Sequence, residues 1–122
     1  MAEPAKKVML TSAWTVPSRV PPKHTNTLGW TLVGPGVQGT SEMQVALTEM
    51  GPGGASEMTT HPVAHIYYVI SGRAKARAAG EEFDLVPGSC LYMAAEVEHD
   101  VRVVGDETLR FLVVFAPAPQ PR

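Results

Sequence analysis

The chain has 122 residues, of which 44% are hydrophobic and 18% charged, and its net charge is −2. That length accommodates one domain with a real core but not two, so residues 1–122 are read as a single domain. No basic run follows a phosphate backbone and no apolar run reaches the length of a bilayer, which excludes nucleic acid and membrane as expected partners.

In chain order, residues 1–27 read as an extended N-terminal arm. Met1 to Lys7 are loose and lack the continuous apolar centre of a signal peptide, and Val8-Met9-Leu10 begin a short apolar segment. Val16 to Asn26, VPSRVPPKHTN, holds three prolines that remove backbone donors. It must therefore run along a surface or a sheet edge, with His24 in a loop. Leu28 to Val33 and Glu42 to Glu49 are predicted strands separated by a GPGVQG turn, and Gly51-Pro52-Gly53-Gly54 is a second break. On the second of these strands Met43, Val45 and Leu47 form one face and Gln44, Ala46 and Thr48 the other. Either could look inward.

Ile66-Tyr67-Tyr68-Val69-Ile70 is β-branched and aromatic and is closed by Ser71-Gly72, which predicts a strand with Tyr67 on the inner face and Tyr68 on the outer. From Arg73 to Ala78 basic residues alternate with alanines, a strand with one wet and one crowded face. A helix is the competing reading, but the space between Gly72 and Gly80 is too short for one to be comfortable. Strands at Glu82 to Val86, Ser89 to Met93, Val101 to Val104 and Leu109 to Phe115 follow, the rhythm of an antiparallel sandwich or barrel. The single cysteine, Cys90, rules out an internal disulfide, suits a reducing compartment and so a cytoplasmic location, and is expected to be buried and inert. Both faces of Leu109 to Phe115 are apolar, one to line the sandwich and the other to meet a second sheet or a neighbouring subunit. The APAPQPR end should fray.

The chemistry concentrates between Glu57 and Gly72 and at His99. Glu57, Thr59, His61 and His65 share one strand parity and could point at one centre. His99 opens a later strand, with Val101 and Val103 beyond it as walls. Three neutral imidazoles on rigid strands form a donor set for zinc, iron, copper or nickel. Pro62 complicates the parity, since proline marks a bulge or interruption. His61 and His65 also fit i and i+4 of a metalloprotease-like helix, but the acidic residue between them is missing and the residues after His65 are poor helix formers. The plainer alternatives are hydrogen-bonded core histidines, and simple core packing for Tyr67.

The run from His61 through Gly72, then Gly80-EEFDLV-Pro87-Gly88, then His99 resembles the two signature motifs of the cupin superfamily. The resemblance covers about Met43 to Pro117 and implies an all-β cupin-type double-stranded β-helix, a jelly-roll barrel, with a C-terminal tail from 117. It places His65 where the family has glutamate, His61 on the second histidine of the first motif, Thr59 on the first, and His99 on the histidine of the second. The implied metal ligands are therefore His61, His65 and His99, holding one divalent transition metal (Fe, Zn, Mn or Ni), with one usual position vacant for water, substrate or Glu57. Glu57 and Tyr67 are the candidate catalytic groups, and Glu96 and Glu98 belong to a solvated loop. Three neutral donors leave the cation's charge uncompensated, which favours a small carboxylate, diketone, hydroxyketone or phenolic substrate. The expected function is a metal-dependent enzyme, a three-histidine iron dioxygenase or else a non-redox lyase, isomerase or cyclase. The rival of another class is a non-catalytic small-molecule-binding cupin. As in many cupins, a homodimer is expected.

Overall fold

The computed structural model describes residues 6–120, so the first five residues of the arm and the last two of the tail lie outside the described residues. Among the described residues nine strands follow one another: β1 (Ser18–Arg19), β2 (His24–Val33), β3 (Gln44–Ser56), β4 (His65–Ser71), β5 (Ala74–Ala78), β6 (Glu81–Leu85), β7 (Cys90–Met93), β8 (His99–Val103) and β9 (Leu109–Phe115). All pairings are antiparallel, in the order β6-β5-β8-β3-β9-β4-β7, with β2 on β3 and β1 on β2. This is the all-β jelly roll expected. Among the described residues no helix is long and apolar enough to cross a membrane.

Long β3 bends the sheet into a barrel. Its first half pairs with β9 from Gln44↔Phe115 to Met50↔Leu109, whereas Ala55 near its end pairs with Arg102 of β8. Between the two halves lies the Gly-Pro-Gly-Gly sequence, which breaks no strand. The β2 register jumps from Thr25↔Ala55 to Thr27↔Met50, so residues 51–54 bulge out and the missing N–H of Pro52 falls where no ladder bond is needed. Gly53 takes a left-handed φ of 77° within that bulge. This bulge carries β3 past Glu49, where the glycines and proline predict its end. The sequence likewise predicts that β2 begins at Leu28 and leaves His24 in a loop, whereas the ladder starts at His24, whose Nδ1 lies 2.6 Å from the Pro22 carbonyl.

The inner faces follow strand parity. Ala46, Thr48 and Met50 of β3, Tyr67 and Val69 of β4, Val101 of β8 and Leu109, Phe111 and Phe115 of β9 are all buried. This settles the open choice on β3 in favour of the Ala46 face. The three alanines of β5 are buried, and the basic residues between them point to solvent and ion-pair. Lys75 meets Glu82 at 3.0 Å and Asp84 at 3.5 Å, and Arg77 grips the largely buried Asp100. Tyr68 faces outward, as parity requires. Cys90 corrects an expectation: it is exposed, because Leu91 and Met93 supply the inner face of edge strand β7 and leave Cys90 and Tyr92 outside.

Candidate metal centre

His65 and His99 are the first residues of β4 and β8, and both side chains enter the barrel. They are 3% and 1% exposed. His61 lies outside any strand, in the loop joining β3 to β4, yet it reaches the same place. Two backbone contacts hold this loop down: Thr59 and His99 exchange both N–H···O bonds at 3.0 Å, and the Glu96 N–H donates to the His61 carbonyl at 2.7 Å. The ring centroids stand 5.0 Å apart for His61–His65, 5.2 Å for His61–His99 and 4.8 Å for His65–His99. One ligating atom from each lies within 4.8 Å of the others, so the trio could hold a metal ion.

The protonation of His65 and the hydrogen bonding of His99 favour that use. Burial, then the nearby His99 and His61, push the His65 imidazole down to about 3, so it is neutral at physiological pH. The Nδ1–H of His99 donates to the Val97 carbonyl at 2.9 Å, which leaves the lone pair on Nε2 facing the centre. That Nε2 and both ring nitrogens of His65 are buried with no hydrogen-bond partner. An unpartnered buried polar atom costs about 1–3 kcal/mol, and a cation at the centre would satisfy the His99 Nε2 and one nitrogen of His65.

Around the trio the surroundings are aromatic and apolar. Phe115 stacks on His65 with ring centroids 4.9 Å apart and meets His61 edge-on at 5.0 Å. Tyr67 lies on the other side, 5.5 Å from His65 and 6.1 Å from His99. Burial, reinforced by the charge of Asp100, holds the Tyr67 phenol well above its ordinary range, so it stays protonated.

Glu57 does not join the group. It is exposed just past the end of β3, with its N–H donated to the Lys23 carbonyl at 2.8 Å. The shared parity proposed for Glu57 to His65 requires a continuous strand, and residues 57–64 form a loop instead. The convergence of His61 therefore comes from the loop's anchorage on β8, not from alternation. Thr59 contributes its backbone to that anchorage, and its hydroxyl lies 3.5 Å from the Thr60 carbonyl. Phe115 and the Val97 carbonyl were missed. Register between Phe115 and His65 could have exposed the first, since they are directly opposed across β9 and β4, but a backbone acceptor leaves no sequence signal.

The fold is an antiparallel jelly roll whose first residues of β4 and β8 and the β3–β4 loop bring three histidines together. The cupin domain model (Cupin_2) matches residues 46–115, and the chain belongs to the cupin family. It is 33% identical over 75 residues to an uncharacterized protein of Streptomyces coelicolor, covering 62% of this chain and 70% of that protein. It is 32% identical over 93 residues to polyketide synthase CurC of Streptomyces cyaneus, covering 75% of this chain and 60% of CurC. In structure it is similar to the polyketide cyclase RemF from Streptomyces resistomycificus, with a TM-score of 0.79 and 22% identity over 93% of this chain and 82% of that one.

Proposed function

We propose that this cupin is a metal-dependent enzyme acting on a small, enolisable oxygenated substrate, with cyclisation of a polycarbonyl compound as the reaction class. The observation that carries the reading is the convergence of His61, His65 and His99, with the ring nitrogens of buried His65 and the Nε2 of buried His99 lacking a hydrogen-bond partner. Similarity to CurC and RemF, whose names place them in polyketide chemistry, supports the substrate class. The three histidines would hold one divalent metal, and the metal, when bound, would supply a Lewis acid that favours the enolate of a diketone or hydroxyketone.

The chain's own residues do the rest. Neutral imidazoles contribute no negative charge, so the centre attracts an anionic or enolic oxygen. Tyr67, held protonated, donates a hydrogen bond to a substrate oxygen and can return a proton to carbon or oxygen. Phe115, Phe111 and Met93 keep bulk water from the enolate, which would otherwise be reprotonated before ring closure. Glu57, exposed and outside the trio, has no part in this proposal. The exposed single thiol agrees with a reducing compartment, the cytoplasm.

The test is metal analysis of protein purified without chelator, followed by turnover of a 1,3-diketone panel with oxygen monitored. We expect about one metal per chain and loss of enol absorbance without oxygen uptake. Oxygen consumed in step with substrate would instead establish the iron dioxygenase reading, which rests on the same carboxylate-free donor set. Protein that binds the panel but neither retains metal nor turns over would reduce the site to a binding pocket.

A further inference from the structure

His99 and His65 are secured in different ways. A ligand histidine is ordinarily aimed by the hydrogen bond its second ring nitrogen makes, and His99 follows that rule through its Nδ1–H and the Val97 carbonyl at 2.9 Å. His65 does not. Both of its ring nitrogens are buried without a hydrogen-bond partner, so whichever one faces a cation, the other has no acceptor to hold the ring. The ring contacts of His65 are aromatic instead, with Phe115, Tyr67 and the other two histidines.

Phe115 is the neighbour placed to aim it. The two rings are nearly parallel, with an angle of 18° between their planes, whereas Tyr67 meets His65 edge-on at 72°. The same phenyl ring stands at 79° to His61 with centroids 5.0 Å apart, so one side chain contacts two of the three imidazoles. It reaches His65 because residues 65 and 115 are directly opposed across β4 and β9. Its own backbone is held on both sides: Phe115 also pairs with Gln44 of β3, and just beyond it the Ala116 N–H donates to the Ala64 carbonyl at 3.4 Å and the Ala118 N–H to the Ser41 carbonyl at 3.0 Å. The side chain is buried, which leaves the ring little room to turn away.

We propose that Phe115 is a positioning residue of the metal centre: by stacking on His65 and abutting His61 it sets the planes of both rings, the task that the Val97 carbonyl performs for His99. The inference rests on metal binding by the trio, as proposed above. A nitrogen lone pair lies in the plane of its imidazole, and the χ2 torsion of histidine is broad, so a ring without a hydrogen bond is free to swing its lone pair off the ion. A flat neighbour stacked on that plane resists the swing. Phe115 offers no donor atom of its own and acts through the two histidines. An aliphatic side chain of similar bulk would still fill the space but present no flat face, so volume and aiming are separable.

Cobalt titration of the full chain, read by visible d–d absorption, tests this, because the position and intensity of those bands report the geometry of the bound ligands. Wild type should take up about one cobalt per chain. Phe115→Leu should bind it at least about tenfold more weakly and, at saturating cobalt, with altered bands. Phe115→Tyr, which restores a flat ring, should stay within about threefold of wild type and keep the wild-type bands. Circular dichroism checks that each variant is folded, and Phe115→Met replaces Phe115→Leu should that chain fail to fold. Wild type that takes up no cobalt would refute the metal reading, and this inference with it. Wild-type affinity and bands in Phe115→Leu would overturn the positioning role alone and leave the metal reading standing. So would weaker binding with unchanged bands, or an equal loss in Phe115→Tyr, since either would reduce Phe115 to core packing.

Discussion

His65 shows how far a single side chain can be argued. Its imidazole sits at about 3 in the folded chain against an ordinary value of 6.5, with burial the largest cause. Above 6.5 the group is neutral in both states and its contribution is fully present. As pH falls from 6.5 towards 3 the unfolded chain takes up a proton that the folded chain refuses, so stability declines by no more than about 1.4 kcal/mol per pH unit. Thermal melts of the metal-free protein between pH 7 and 4 should show that decline, and His65→Gln should flatten it; an unchanged slope would mean that the ring is protonated in place. Tyr67→Phe tests the phenol: it should keep metal content and fold while turnover drops at least about tenfold. At this scale the inward Tyr67 and the outward Tyr68 were legible in the sequence through strand parity, and the histidines through residue type, although parity does not account for the place of His61. The strand parity given to Glu57 and the burial given to Cys90 are not what the structure has. Parity does not survive the end of a strand, and exposure of a cysteine depends on which of two faces a neighbouring sheet covers.

At the level of elements, the barrel depends on where strands turn as much as on what they pack. Gly72, between β4 and β5, has a φ of 84°, and a Cβ there would come within 2.6 Å of the Thr108 carbonyl and 2.7 Å of the Leu109 Cα. Both neighbours are backbone and cannot step aside. Gly72→Ala should therefore destabilise the protein by about 2 kcal/mol or more, read as a lower midpoint in urea; a loss below about 0.5 kcal/mol would show that the turn can rearrange. The strands β4 to β9 were readable within a residue or two because each is bounded by glycine, proline or a charged turn. β2 and β3 were not: prolines and glycines that usually end strands here occupy a bulge and an edge. The two-residue β1 lies too close to Pro17 for any pattern to announce it.

For the molecule as a whole, metal binding and folding should be linked, since a ligand that binds only the native state stabilises it. Addition of zinc or nickel at about 100 times its Kd should raise stability by about 2.7 kcal/mol, and chelator should reverse the gain. His99→Ala should abolish that response while leaving the barrel folded, and a full response in His99→Ala would remove His99 from the site. Fold and family could be reached from the order of motifs along the chain. The loop that carries His61 could not, because its placement rests on backbone bonds to β8 and β7–β8 loop atoms that any side chain would permit.

The donor set of the trio has its own outcome. Three imidazoles and no carboxylate form a donor set that several divalent ions accept, so the site offers little means of refusing a wrong guest. Occupancy should then follow intrinsic ion preference and cellular supply. The same polypeptide grown in iron-rich and in zinc-rich medium should therefore carry two different ions, as elemental analysis would show.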